Sequence, residues 1–405
     1  MGWLRDNRCR RDHHHLDLMD RLRSAMPINL VKIAIAMKVI KMEKSDQSWS
    51  RRRFMGTAAA ATTLTMAGMS RASTAAERPF YADALGYEAA SNRAAFEELR
   101  RSSMSAIILD LGSFPRTFET ARDELMACNR LEAAPDSPIR IVRTFADLAV
   151  ARKEGRLAVV LASQDASVLG SGSSDFEMRL GELHGLGLRV LQLTHNARTP
   201  YGDSFMEPHD GGLSLAGLAL VGMMNARGML IDLSHCSPLT TIEAAKASRK
   251  PVAITHAGVR SLAPTRRNKS IEEIEAVAAS GGVFGVFGVS TWLTNDPVLT
   301  PAHVLAHFDF LRDRVGVDHI TFGSDGFAAR TDAVAETERM ANVQRANAGG
   351  PSAEWPVTHT RLAQLNGPDR VRNLSVLLEG HGYDARSRAA ICGGSLRRVL
   401  QAVLG

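Results

Sequence analysis

From about residue 105 onward, short apolar, β-branched runs alternate with longer amphipathic stretches, the pattern of parallel strands each covered by a helix. Runs at 106–109, 158–162, 189–193, 229–233, 252–255, 283–286 and 319–322 predict seven strands. Between them the spacing predicts helices over 176–185, 215–225, 238–247, 271–280 and 302–315, several opened by Ser, Asp or Pro in the first turn. Two more, over 369–381 and 385–403, close the chain. Seven or eight such units suit an α/β fold of the (β/α)8 barrel type better than an open doubly wound sheet, and no glycine-rich phosphate fingerprint supports the latter. Residues 330–368 are polar and contain Pro and Gly, and read as a long irregular insertion placed to cover the active-site face.

The region before this alternation changes the picture through its charge. The net charge of the 405 residues is +6, but residues 1–75 hold 14 Lys and Arg against 6 Asp and Glu, leaving 35 against 37 for the rest. The basicity belongs to the leader, and the body gives no argument for a nucleic-acid partner. Ser50-Arg51-Arg52-Arg53-Phe54-Met55-Gly56, an Ala- and Thr-rich run over 57–69 and small residues around Ser73, Ala75 and Ala76 resemble a twin-arginine signal peptide. That run is shorter than the ~20 apolar residues of a membrane span. The expectation is a leader over 1–76, a barrel domain over 77–405, passage through the twin-arginine translocase and a periplasmic location. Met42 would give a more usual signal length, so residues 1–41 read as a misassigned start, and His13, His14 and His15 receive no role. Cys9 lies in the leader; Cys128, Cys236 and Cys392 match no metal or disulfide spacing, although one pair could form in an oxidising compartment.

In a barrel of this type, chemistry sits at the carboxyl ends of the strands, so the residue after each apolar run is the one to inspect. His195 follows 190–194, His235 follows 230–234, His256 follows 252–255 and Asp325 follows 321–324. One histidine at a strand end is usually a structural hydrogen-bonder; histidines or an acid after four strands are not independent. Neutral imidazoles ligate zinc, and a carboxylate beside a metal can take and return a proton. The periodicity alone suggests a metal-dependent hydrolase. His184, His209, His303, His307, His319, His359 and His381 read as solvated helix or loop residues, and Trp292 and Trp355 as lining the mouth or packing.

These segments resemble the membrane (renal) dipeptidases and their bacterial relatives. Leu193-Thr194-His195-Asn196 with Thr199-Pro200-Tyr201-Gly202-Asp203, Gly228-Met229-Leu230-Ile231-Asp232-Leu233-Ser234-His235, Thr255-His256 with Arg266-Arg267-Asn268, and Gly323-Ser324-Asp325 carry the likeness. So do Gly281-Gly282-Val283 and Gly393-Gly394-Ser395-Leu396-Arg397; the match spans roughly residues 106–404, and its most specific block is 232–268. The resemblance implies a (β/α)8 barrel with two zinc ions bridged by a carboxylate and a hydroxide. It also implies that His235 and His256 hold one zinc, that Asp325 shuttles the proton to the leaving amine, and that His195 polarises the substrate carbonyl or steadies the oxyanion. Arg267 would fork to the terminal carboxylate of a dipeptide. A homodimer is compatible with the family.

The chain departs from the family pattern elsewhere. The family's first strand ends in a His-x-Asp pair, whereas the region taken as equivalent reads Leu109-Asp110-Leu111-Gly112-Ser113-Phe114, and Gly112 and Phe114 cannot bind metal. Where the family places a bridging glutamate, the chain has Ser163-Gln164-Asp165. Gln164 brings no charge to offset two dications; Asp165 after a one-residue slip, or Asp110 swinging in, are the substitutes available. Zinc binding is therefore expected to be weak or confined to one ion. Three readings remain: a dipeptidase rescued by nearby acids or working with one zinc, a divergent enzyme acting on a small modified peptide or amide, and a protein that captures a carboxylated ligand without cutting it.

Overall fold

The computed structural model describes residues 78–111, 116–170, 175–289, 292–296, 298–327 and 361–405. In chain order the elements are β1 (Ala82–Tyr87), α1 (Arg93–Arg101), β2 (Ala106–Asp110), α2 (Phe118–Ala133), β3 (Ile139–Ile141), α3 (Asp147–Glu154), β4 (Leu157–Ser163), α4 (Phe176–Gly185) and β5 (Leu188–Gln192). There follow α5 (Leu215–Arg227), β6 (Leu230–Asp232), α6 (Pro238–Ala247), β7 (Ala253–Ala257), α7 (Ile271–Ala279), β8 (Val283–Phe287), α8 (Pro301–Val315), β9 (Ile320–Gly323) and β10 (Gly326–Phe327). Helices α9 (Arg370–Gly380), α10 (Ala385–Ala389) and α11 (Ser395–Leu404) end the chain. The putting of β-branched residues on both faces of these strands has a simple cause: β2 and β4 are buried along their whole length, as strands of a parallel sheet covered by helices must be.

The strands run parallel in the order β1-β2-β4-β5-β6-β7-β8-β9, and β9 and β10 are two pieces of one strand broken at Ser324-Asp325. Because β9 pairs with β8 while β10 pairs with β1, the sheet closes into the expected α/β barrel. Strand β3 is an addition: it pairs with the first half of β4, at Ile139↔Leu157 to Ile141↔Val159, whereas β5 pairs with the second half from Leu161 on. Helix starts follow local chemistry. Ser214 and Ser237 cap α5 and α6 by accepting a backbone N–H, and Ser270 with Glu273 forms a capping box on α7.

Several expectations change. Strand β1 was not expected, because Asp83 and Gly86 interrupt its apolar run, yet it opens the barrel; α1, α2, α3 and β3 were also missed. The closing stretch predicted as one helix over 385–403 is broken by a π turn at Ala390–Gly394, where Gly393 has φ 146°. A Cβ on Gly393 would lie 2.8 Å from the Ala82 nitrogen and 2.9 Å from the Phe80 carbonyl, so the break lets the last helices approach β1. His307 is not solvated: it is fully buried, accepts the Val259 N–H at 3.0 Å and faces the Leu293 carbonyl at 2.9 Å, and burial pushes its pKa down to about 4. Trp292 is buried and packs on Phe287, with ring centroids 6.3 Å apart. Cys128, Cys236 and Cys392 are each buried and free, so no disulfide joins them. The leader, Trp355, His359 and most of the 330–368 segment lie outside the described residues, among which no helix is long and apolar enough to cross a membrane.

The closing seam is fastened by a buried ion pair. Arg370 on α9 donates from Nε to Asp83 on β1 at 2.6 Å, and Asp83 also accepts the Ser324 N–H (2.9 Å), the Ser324 hydroxyl (2.6 Å) and the Leu85 N–H (3.2 Å). Both side chains are almost fully inaccessible, so removing one partner strands a buried charge. Arg370→Met is therefore expected to cost about 3–5 kcal/mol of folding stability, measured as a shift in the urea midpoint; a change under about 1 kcal/mol would show that Asp83 is satisfied by Ser324 and Leu85 alone.

Candidate metal centre and active-site face

His235 follows β6 and His256 lies within β7, and the backbone aims both into the mouth. Strand β7 is irregular against β8: Ile254 pairs with Phe284 and Ala257 with Val286, so Thr255 and His256 together oppose Gly285. Such a bulge re-aims a side chain at the end of a strand. It also turns the Thr255 carbonyl toward its neighbours, and a Cβ on Gly285 or Gly323 would stand only 1.9 or 2.0 Å from that oxygen. Glycine at both positions is what the bulge requires.

The two imidazoles meet nitrogen to nitrogen, with Nε2 of His235 3.1 Å from Nε2 of His256. Nδ1 of His235 faces the Asn196 amide oxygen at 3.1 Å, and Nδ1 of His256 faces the Thr255 hydroxyl at 2.8 Å. His195, after β5, stacks on His235 with ring centroids 4.4 Å apart. Burial holds all three rings neutral: it pushes His195 down to about 3 and His235 and His256 well below the ordinary imidazole value, with the Arg116 charge helping at His195 and the Arg267 charge at the other two. An oxygen acceptor at Nδ1 of His235 puts the proton there and leaves a lone pair on Nε2. Two buried, uncharged nitrogen donors facing each other are of the type that a borderline-soft divalent cation such as zinc takes, one fewer than the three protein ligands usual for a catalytic zinc.

Arg267 is 1% exposed and lies between the Phe287 and Phe205 rings, 4.9 and 5.8 Å from their centroids. Its Nη1 donates to the Ser234 carbonyl (2.6 Å) and its Nη2 to the His256 carbonyl (2.9 Å), so it braces both histidine-bearing segments. Burial lowers its pKa to about 10 while the Asp325 charge opposes the shift, which leaves a guanidinium cation at neutral pH. Asp325 is the one non-glycine residue with positive φ (46°) among the described residues. Its N–H donates to the Leu85 carbonyl at 2.8 Å, and Arg361 donates to its carbonyl and to that of Ser324. The strained backbone at Asp325 is held from both sides of the closing seam.

The other half of the expected centre is built differently. Since β1 opens the barrel, the strand compared above with the family's His-x-Asp is β2, the second one, and Gly112 and Phe114 lie outside the described residues. The end of β1 reads Leu85-Gly86-Tyr87, again without His or Asp; the next acid, Glu88, accepts from Asn92 and from the Ala89 N–H. Asp110 is buried and both its oxygens are engaged, by Arg116 (3.0 and 2.7 Å) and by Gln164 through Nε2 (2.9 Å) and backbone N–H (3.2 Å). Asp165 caps the short 3-10 turn Ala166–Leu169 through the Ser167 N–H. Gln164 Oε1 and Gln192 Oε1 are buried without a hydrogen-bond partner. Among the described residues no group of three or more His, Cys, Asp or Glu is gathered for a metal. This side does not fit a second cation: Asp110 already has the Arg116 guanidinium as counter-charge, and Glu88 is engaged by Asn92 and the Ala89 N–H.

The roles of Asn196 and Thr255 were not read from the sequence, although both stand in the segments that carry the likeness, and Arg116 and Arg361 were not singled out at all. For Asn196 the signal was adjacency to His195; for Arg116 there was none, because its partner Asp110 lies across a loop.

Known proteins resemble this chain along most of the barrel. A family model described as membrane dipeptidase, peptidase family M19, matches residues 82–346. The dipeptidase verJ of Clonostachys rogersoniana is 31% identical over 187 residues, 46% of this chain and 47% of that protein. An uncharacterized protein in the pqqA 5′ region of Klebsiella pneumoniae is 29% identical over 216 residues, 50% of this chain and 77% of that protein. The chain spans about half the length of the first curated dipeptidases it matches. Among solved structures, an amidohydrolase from Pseudomonas aeruginosa superposes with TM-score 0.71 at 24% identity, covering 81% of this chain and 97% of that one. A metallopeptidase from Rhodobacter sphaeroides liganded with a phosphinate mimic of L-Ala-D-Ala gives TM-score 0.64 at 19% identity, covering 81% and 100%. These likenesses show the fold.

The Asp110–Arg116 pair has a defined pH signature. Burial alone would raise the Asp110 pKa, but the Arg116 charge and hydrogen bonds, joined by Gln164, hold it below the ordinary carboxylate value. A depressed folded-state pKa gives stability that is present above the unfolded value of about 3.9 and is lost as pH falls through the folded value. The stability difference between the protein and Asp110→Asn should therefore be constant at neutral pH and shrink below about pH 4. Urea midpoints at a series of pH values check this; a difference that grows on acidification would contradict the pairing.

Proposed function

Because this chain belongs to the membrane dipeptidase family, we propose that it is a metallodipeptidase-type hydrolase cleaving the amide bond of dipeptides or dipeptide-like substrates with a free terminal carboxylate. The observation that carries the reading is the facing pair of neutral imidazole nitrogens on His235 and His256, 3.1 Å apart. These two residues would hold one zinc ion. Zinc bound there supplies Lewis acidity that eases the deprotonation of water near neutral pH.

The chain's own groups have the following roles. His195 is uncharged and so presents an N–H to the substrate carbonyl oxygen without giving the proton away, and its stacking on His235 fixes where that donor points. Asp325 takes the proton released in the attack and returns it to the leaving amine, from a backbone position fixed by Leu85 and Arg361. Arg267 keeps N–H groups beyond the two given to backbone carbonyls and forks to the terminal carboxylate. A fixed cation at measured reach selects substrates whose carboxylate lies one residue past the scissile bond.

Cleavage of a dipeptide panel by the zinc-loaded protein is expected to disappear with a chelator and in His235→Ala, with bound zinc falling in parallel. Absence of both zinc and cleavage, with carboxylated ligands still bound, would instead assign a capture protein. Arg267→Lys, which keeps the charge but loses the fork, is expected to raise KM about 10- to 100-fold for free-carboxylate substrates, the equivalent of one charge-assisted hydrogen bond. An equal effect on amidated dipeptides would remove this role. We also propose that residues 50–69 direct export to the periplasm by the twin-arginine route. Arg51→Lys combined with Arg52→Lys should leave the protein in the cytoplasmic fraction, and unchanged export would contradict it.

A further inference from the structure

The seam between β6 and β7 carries both proposed zinc ligands, yet its ladder is thin: one register pair, Asp232↔Ala253, against five between β2 and β4. Strand β6 ends at Asp232, and the Thr255 N–H turns to the Asp232 side chain instead of continuing the ladder. What replaces the missing ladder is a side chain. The Asp232 carboxylate, 1% exposed, accepts the Thr255 N–H (3.1 Å) and the Ser234 N–H (3.0 Å), together with the Ser234 hydroxyl (2.5 Å) and the Thr255 hydroxyl (2.7 Å). The Ser234 oxygen in turn accepts the His256 N–H at 3.2 Å. Each residue that Asp232 grips is the immediate chain neighbour of a histidine: Ser234 precedes His235 and Thr255 precedes His256.

Proton counting along this network fixes more than spacing. A threonine hydroxyl has one proton, and that of Thr255 goes to Asp232 Oδ2. Its oxygen can then only accept, so at the 2.8 Å contact the proton lies on Nδ1 of His256, and Nε2 is left with a lone pair. The 3.0 Å approach of the Ser234 and Thr255 hydroxyls has no proton left to share once both donate to the carboxylate. We propose that Asp232 is a positioning residue: acting through the Thr255 hydroxyl, it holds His256 in the Nδ1–H tautomer and sets the separation of the two imidazoles, so that both Nε2 lone pairs face a divalent cation. The inference rests on the reading of His235 and His256 as a zinc site, and extends it to residues that touch neither metal nor substrate.

In Asp232→Asn the carboxamide offers N–H donors to this network in place of an acceptor, which lets the Thr255 proton turn toward His256 and move the ring proton to Nε2. Thr255→Val removes the hydroxyl at constant shape, while Thr255→Ser keeps it. The histidine tautomer is read by long-range 15N–1H NMR in the metal-free protein, and zinc affinity by competition with a chelating dye. His256 is expected as Nδ1–H in the parent and in Thr255→Ser, and as Nε2–H in Asp232→Asn and Thr255→Val. Zinc should bind about 10- to 100-fold more weakly to the latter two and as in the parent to Thr255→Ser. Unchanged tautomer and affinity in Asp232→Asn, or Thr255→Ser behaving like Thr255→Val, would overturn the role. If the parent binds no zinc, the metal reading fails by itself, while the tautomers of the metal-free proteins still decide the role of Asp232. Loss of folding in Asp232→Asn would leave Thr255→Val against Thr255→Ser to decide it.

Discussion

Two uncharged imidazole nitrogens held 3.1 Å apart in a buried barrel mouth are the constraint on which the rest of the site depends. Two lone pairs at that distance repel, whereas a neutral ring with its proton on Nε2 would hydrogen-bond across the contact. The surrounding structure therefore has to impose the geometry, and its features read as means to that end. The β7 bulge turns His256 inward, Gly285 and Gly323 clear space for the displaced Thr255 carbonyl, and Arg267 ties the Ser234 and His256 carbonyls together from below. A cation placed between the nitrogens converts the repulsion into ligation.

The opposite wall of the mouth resolves its electrostatics internally. A buried carboxylate needs a counter-charge or a full set of hydrogen-bond donors. In a two-metal centre the metals supply that charge; here the Arg116 guanidinium does so for Asp110, with Gln164 adding two neutral donors. A glutamate at position 164 would face Asp110 with like charge, and the neutral amide avoids that. The neutral amide at position 164 and the internal guanidinium are thus two sides of one arrangement, which leaves Asp110 no charge to offer a second cation.

How much of this was legible in the sequence depended on how local the cause was. Strand ends carrying His195, His235, His256 and Asp325 were readable because each follows an apolar run, and helices with Ser caps declared their starts. Strand β1 escaped notice because its buried Asp83 looks like a turn residue until its partner, Arg370, is found 287 positions away. The bulge at Thr255 leaves no trace in periodicity; only the neighbouring glycines on two other strands hint at it. Asp232, an acid inside an apolar strand, was visible but uninterpreted, since its meaning lies in what Thr255 does with its single proton. His307 shows the converse error: it reads as a surface residue on α8 and is in fact a core hydrogen-bonder between Val259 and Leu293.

On the proposed function the mouth accommodates one divalent cation, between His235 and His256. Anomalous diffraction at the zinc edge from crystals grown with excess zinc would locate it. A single strong peak is expected within bonding distance of both Nε2 atoms, with density for Arg116 still paired with Asp110. A second peak of comparable height at the ends of β1 and β4, near Leu85 and Gln164, or the absence of any peak at the histidine pair, would contradict it.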